Sequence, residues 1–165
     1  MGKPERAVLA EVTINAPQSE VWLAWTTEAG VRSFFAPACR VELGLRGAYE
    51  MYFDQAAPVG RRGGEGMILL AIQAPSMLSF AWNAPPELPR VRPQMTHVTV
   101  RLSAVTPRTT LVRLYHDGWG EGGEWDEAFR YFESAWRDVV LPRLRYRFAV
   151  GPVDWANLPD LTQWR

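Results

Sequence analysis

The sequence predicts an α+β domain in which a curved antiparallel sheet of six to seven strands wraps a long C-terminal helix, with two short helices after the first strand. Three observations carry this. Residues 97–105 and 110–116 alternate apolar and polar at period two, with Val98, Val100, Leu102 and Ala104 on one face and Thr110, Val112, Leu114 and His116 sharing another. Trp125, Phe129, Phe132, Trp136, Val139 and Val140 recur at helical spacing near the end of the chain, a wide aromatic stripe. Strands that run consecutively and are closed by a terminal helix make an α+β order, not the alternating order of a parallel sheet.

Each element has its own signal. Val8, Ala10, Val12 and Ile14 alternate with Leu9, Glu11 and Thr13, a half-buried strand ended at Pro17. Pro17 and Ser19 open a short helix with Val21, Trp22 and Trp25 on its apolar face. A second short helix carries Val31, Phe34 and Phe35 and stops at Pro37. Residues 40–43 and 48–53 read as strands around the Gly44–Gly47 turn, and residues 58–66 as a loose hairpin loop. The run 67–72 is apolar on both faces, as in a covered strand. Ala74-Pro75 turns the chain into a strand lined by Leu78, Phe80 and Trp82. Four prolines in residues 84–93 give an extended loop, and four glycines in residues 118–123 a flexible connector. The helix spans 124 to about 148, with acids at its start and arginines at its end, which suits its dipole. Pro142 bends or weakens one turn of it.

Composition narrows the function. A chain of 165 residues with 47% apolar residues, eight Trp and seven Phe builds one core, without a disulfide framework. Eighteen basic residues balance eighteen acidic ones, so no net field draws the chain to nucleic acid or to an anionic membrane. No apolar run is long enough to span a bilayer. The opening residues lack the apolar centre of a signal peptide. The single Cys39 fits a reducing compartment, so the expected location is the cytoplasm. The expected organisation is one domain over residues 1–150, followed by a tail over 151–165.

The order of motifs resembles the START-like (SRPBCC) helix-grip superfamily, and within it the branch similar to the C-terminal domain of the activator of heat shock protein 90 ATPase. Four blocks carry the resemblance: Ile14 to Trp25 (INAPQSEVWLAW); Gly66 to Trp82 through Ala74-Pro75; Thr110-x-Val112-x-Leu114-x-His116-x-Gly118; and Ala135-Trp136 followed by Val139, Leu141 and Leu144. The chain departs from the family at Phe34-Phe35, where a Trp-Phe pair is common, and at Gly47, which stands alone where two glycines are common. Nothing here corresponds to the eukaryotic activator's N-terminal chaperone-binding domain. The resemblance implies a fold that holds a lipid-like or polycyclic ligand between sheet and helix.

The candidate ligand cavity is lined by Tyr49, Phe53, Phe80 and Trp82 from the sheet side, with Val98, Val100, Leu114 and His116. Trp119 and the helix residues Phe129, Phe132 and Trp136 complete it. Such sites are mostly apolar with a few polar groups, here His116 with Tyr49 and Trp82. His116 followed by Asp117, Glu121 and Glu124 also suggests a general base or a metal site. The more ordinary reading is a His that caps a strand end and acids that serve the helix N-terminus. No metal and no cofactor is expected. His97 lies in the polar register, and Cys39 reads as a structural thiol. The Gly60–Gly66 run lacks the Gly-Lys-Ser/Thr and the helix of a phosphate loop. Three functions compete: a binding module for a small hydrophobic molecule, a polyketide cyclase- or aromatase-like enzyme using His116, and a chaperone- or regulator-interaction domain. A homodimer, formed through the C-terminal tail, is a further expectation. Because acid–base catalysis needs converging polar groups and only one faces inward, binding without catalysis leads.

Overall fold

The computed structural model describes residues 4–165. Residues 1–3, assigned with the domain on sequence, lie outside it. Strand β1 (Val8–Ile14) leads to helices α1 (Gln18–Thr26) and α2 (Glu28–Arg32). Six strands follow: β2 (Ala38–Val41), β3 (Tyr49–Tyr52), β4 (Leu69–Gln73), β5 (Met77–Trp82), β6 (Thr96–Thr106) and β7 (Thr109–Asp117). One continuous helix in three parts follows, α3 (Glu124–Ser134), a π-helical segment (Ala135–Val140) and α4 (Leu141–Ala149), and a short 3-10 turn (Thr162–Trp164) lies in the tail.

All seven strands are antiparallel. Five form one ladder in the order β1-β7-β6-β5-β4, and β2-β3 form a second. The sequence pattern places all of them in one sheet, and the two ladders do meet. Tyr49 N–H donates to the Met67 carbonyl, and Leu69 N–H to the Gly47 carbonyl, each at 2.9 Å. An isolated bridge joins Ala48 to Ile68. The seam stays irregular because the approach to β4 is a turn-rich stretch, so β4 begins at Leu69 instead of 67.

The β6–β7 hairpin is the spine. Val98, Val100 and Leu102 face Val112, Leu114 and His116 on the covered side, all of them buried. Burial alternates as the residue pattern requires until Ser103, beyond which β6 projects past the core. On α1, Val21, Trp22 and Trp25 are buried, and the Thr27 hydroxyl accepts the Gly30 N–H at 3.0 Å to cap α2.

The π-helical segment sits where Pro142 interrupts the long helix. A proline has no N–H for the carbonyl four residues back, and its ring crowds that carbonyl. The preceding turn widens, so Leu141 N–H bonds the Trp136 carbonyl five residues back. The buried face then continues through Trp136, Val140, Leu141 and Leu144. The tail folds back on its own chain: Val153 N–H donates to the Ser33 carbonyl, and the Trp155 indole to the Arg32 carbonyl. Arg143 lies over the Trp155 ring at 4.9 Å. No helix among the described residues is long and apolar enough to cross a membrane.

Candidate functional site

Strand alternation decides which groups can meet under the helix. His116 and Asp117 are consecutive in β7 and point to opposite faces. His116 turns inward and is fully buried. Asp117 turns outward and pairs with the exposed His97 at 2.7 Å. Glu124 accepts the Arg90 N–H, and Asp126 pairs with Arg6 at 2.7 Å. Of the acids that follow His116, Asp117 and Glu124 therefore serve other partners, and Glu121 is exposed on the connector. Among the described residues no cluster of three or more His, Cys, Asp or Glu side chains suits a metal ion.

The His116 ring is held at both nitrogens. The Trp136 indole N–H, a donor only, bonds Nδ1 at 2.9 Å. Nδ1 must therefore be the bare nitrogen and Nε2 carries the proton, which it donates to Thr96 Oγ1 at 2.7 Å. The Thr96 hydroxyl in turn donates to the Trp82 carbonyl at 3.1 Å. Burial, with the charge of His97 as a lesser cause, lowers the His116 pKa from 6.5 to about 3. Trp119, tilted, and Phe132, edge-on, pack against the ring at 4.3 and 4.8 Å between centroids. The result is a neutral, fully satisfied imidazole inside an aromatic cage. It has no free nitrogen to take or give a proton.

Much of the expected cavity is filled by its own lining. Tyr49, Phe80, Val98, Val100, Leu114 and Trp136 are all essentially inaccessible. The Tyr49 hydroxyl donates to the Trp25 carbonyl at 2.7 Å, and burial pushes its pKa well up. Trp119 is buried, and its indole N–H donates to the His116 carbonyl. Phe129 is half-buried against Trp119. At the centre lies Phe35, within 6.1 Å (centroid to centroid) of Trp25, Phe34, Phe53, Trp82 and Trp136. The sequence marks the Phe34-Phe35 pair as a family position but does not place it among the cavity residues.

Space remains at one end. A cleft of about 180 Å³ opens between the loop after β3, the Pro-rich loop 84–93 and α3. Phe53, Trp82 and Phe132 of the expected set line it, joined by Tyr131, Asn83, Pro85 and Pro86. Its rim is charged, with Asp54, Arg61, Arg62, Glu87 and Arg92. Arg92 ties the two loops together: its guanidinium donates to the Ala84, Gly60 and Gly63 carbonyls. Partial burial lowers its pKa. The sequence offers Arg90 and Arg92 as contacts for an anionic ligand, against the default of a solvated loop, and reads Arg61-Arg62 as part of a hairpin loop. Nothing local signals that these two loops, remote in the chain, share a rim.

A curved antiparallel sheet gripping one long C-terminal helix defines a START-like helix-grip protein. The model of the family "Activator of Hsp90 ATPase homolog 1-like protein" matches residues 15–146, and the chain belongs to that family. No curated protein matches at a significant level. Among solved structures, the Aha1 dimer from Colwellia psychrerythraea is similar at 17% identity and a TM-score of 0.66, covering 88% of this chain and 98% of that one. An HSP90 activator from Plasmodium falciparum has 15% identity and a TM-score of 0.66, over 88% and 96% of the two chains. CalU16 from Micromonospora echinospora has 20% identity and a TM-score of 0.64, over 97% and 81%. These likenesses concern the fold.

Proposed function

We propose that this chain is a noncatalytic binding module for a small molecule with an apolar or aromatic body, taken up at the cleft over Trp82 and Phe132. The cleft carries the reading: it is the opening that leads toward the aromatic core, with an apolar floor and a rim of charged side chains to fix orientation. Its volume of about 180 Å³ lies below the ~300–1,000 Å³ of drug-sized sites. The ligand is therefore small, or only its apolar end enters. A larger body requires α3 to move outward, against the Arg6–Asp126 pair and the packing of Phe129 and Phe132 on Trp119 and His116. Under this reading Phe53, Trp82 and Phe132 touch the ligand. The rest of the expected cavity set, His116 included, is the packed wall behind them. The free, half-buried Cys39 fits a reducing compartment, and we place the protein in the cytoplasm.

Cyclase-like chemistry through His116 would require Thr96 and Trp136 to release both ring nitrogens first, which makes it the weaker reading. A chaperone- or regulator-binding role draws on the family description and on the Plasmodium neighbour's title. Homodimerisation draws on the Colwellia protein, solved as a dimer; Trp155 of the tail, the expected dimer element, already bonds its own chain.

Native mass spectrometry of gently purified protein tests the proposal. The expected spectrum shows a mass adduct of one small molecule that is lost on mild activation. A spectrum of bare protein, together with no uptake from a panel of small aromatic and acyl compounds, would reject it.

A further inference from the structure

A larger open space lies away from this cleft and shares no residue with it. A groove of about 1090 Å³ runs between α1, α2, the β6–β7 turn and the end of α4. One wall is a single stripe of α1: Glu20, Leu23, Ala24 and Thr27 fall at positions i, i+3, i+4 and i+7. Leu23 is 54% exposed there, an apolar side chain without a covering partner. Across from it lie Phe148 and Pro152.

The charges in the groove do not balance. Arg32, Arg108 and Arg147 line it, against Glu20 as the one acid. Arg32 reaches a carboxylate only at 4.0 Å, that of Glu28. Arg108 and Arg147 have no carboxylate within 4.0 Å among the described residues, and Arg147 Nε is buried without a hydrogen-bond partner there. This local excess of cation stands in a chain whose net charge is zero. Planar guanidinium groups pair with carboxylates in two-pronged geometry, and the groove is open to solvent instead of enclosing a compact molecule. We infer that this groove docks an acidic segment of a partner protein, whose carboxylates meet Arg32, Arg108 and Arg147 while an apolar side chain covers Leu23 and Phe148.

A short fluorescein-labelled peptide of alternating Glu and Leu tests this by fluorescence anisotropy, with nitrogen–proton correlation spectra to locate it. The wild type is expected to bind saturably, more weakly as salt rises, with amide shifts at residues 20–32 and 147–152. Arg108→Glu with Arg147→Glu should weaken binding by about tenfold or more, since one exposed and one partly buried ion pair become repulsions. Should that double variant fail the circular dichroism check, Arg108→Glu alone, on the exposed turn, should still weaken binding severalfold. Equal binding of a peptide with Gln in place of Glu, equal binding by the folded charge-reversed variant, or shifts confined to other surfaces overturns the inference. So does binding to phosphatidylcholine–phosphatidylserine vesicles without binding to the peptide, which would make the groove a membrane contact.

Discussion

His116 shows how much a residue's neighbours decide. A histidine is the side chain most readily poised for proton transfer near neutral pH. Here the Trp136 indole fixes its tautomer and burial holds it neutral, at a pKa of about 3 against 6.5. Because the folded value lies below the unfolded one, the unfolded chain binds the proton first. This contribution to stability is complete above about pH 6.5 and is lost as pH falls toward 3. From pH 7.5 to pH 5 the loss should be about 2 kcal/mol in chemical denaturation. His116→Gln should remove most of that pH dependence, and a slope equal to wild type would show that His116 titrates normally. Trp136→Ala should cost ~3–5 kcal/mol for the deleted aromatic, with Nδ1 of His116 left unpaired as well. A denaturation midpoint within error of wild type would refute the assigned role. Thr96, the third member of this chain of bonds, carries no apolar signal of its own, so the alternation visible in the sequence begins at His97. One residue earlier, the same period places Thr96 inward beside Val98.

The elements were legible where a period ran long. The alternation of β6 and β7 and the aromatic stripe of the last helix place both correctly, because one buried face per element leaves its mark on the residue order. Pro142 signals a disturbed turn, and the helix absorbs it as the π-helical segment. Short strands carry a weaker signal. β2 and β3 span four residues each, too few for a period to fix their ends or to reveal their separate ladder. At the start of α3, Gly123 holds φ 53° and ψ −130°, a conformation that side chains with a Cβ avoid. A Cβ there would meet no atom within 4 Å, so backbone strain alone sets the effect of substitution. Gly123→Ala should destabilise by about 1–3 kcal/mol in thermal or chemical unfolding. An unchanged stability would mean that the connector rearranges freely.

At the scale of the molecule, the sequence foresees an aromatic interior between sheet and helix but not whether it is empty. The same aromatic residues can line a cavity or fill it, and only their side-chain packing decides. Here Phe35, Trp136 and the His116 cage fill most of the space, leaving the cleft at Phe53, Trp82 and Phe132. The central claim, that this cleft receives the apolar part of a small ligand, is tested most directly by titrating the protein with the neutral probe N-phenyl-naphthylamine and following both fluorescence and amide shifts. The account predicts saturable binding at one site, shifts concentrated at Phe53, Trp82 and Phe132, and loss of binding in Phe132→Arg, or in Phe53→Asp if the former does not fold. Absence of saturable binding, or saturation with shifts away from these residues, would contradict it.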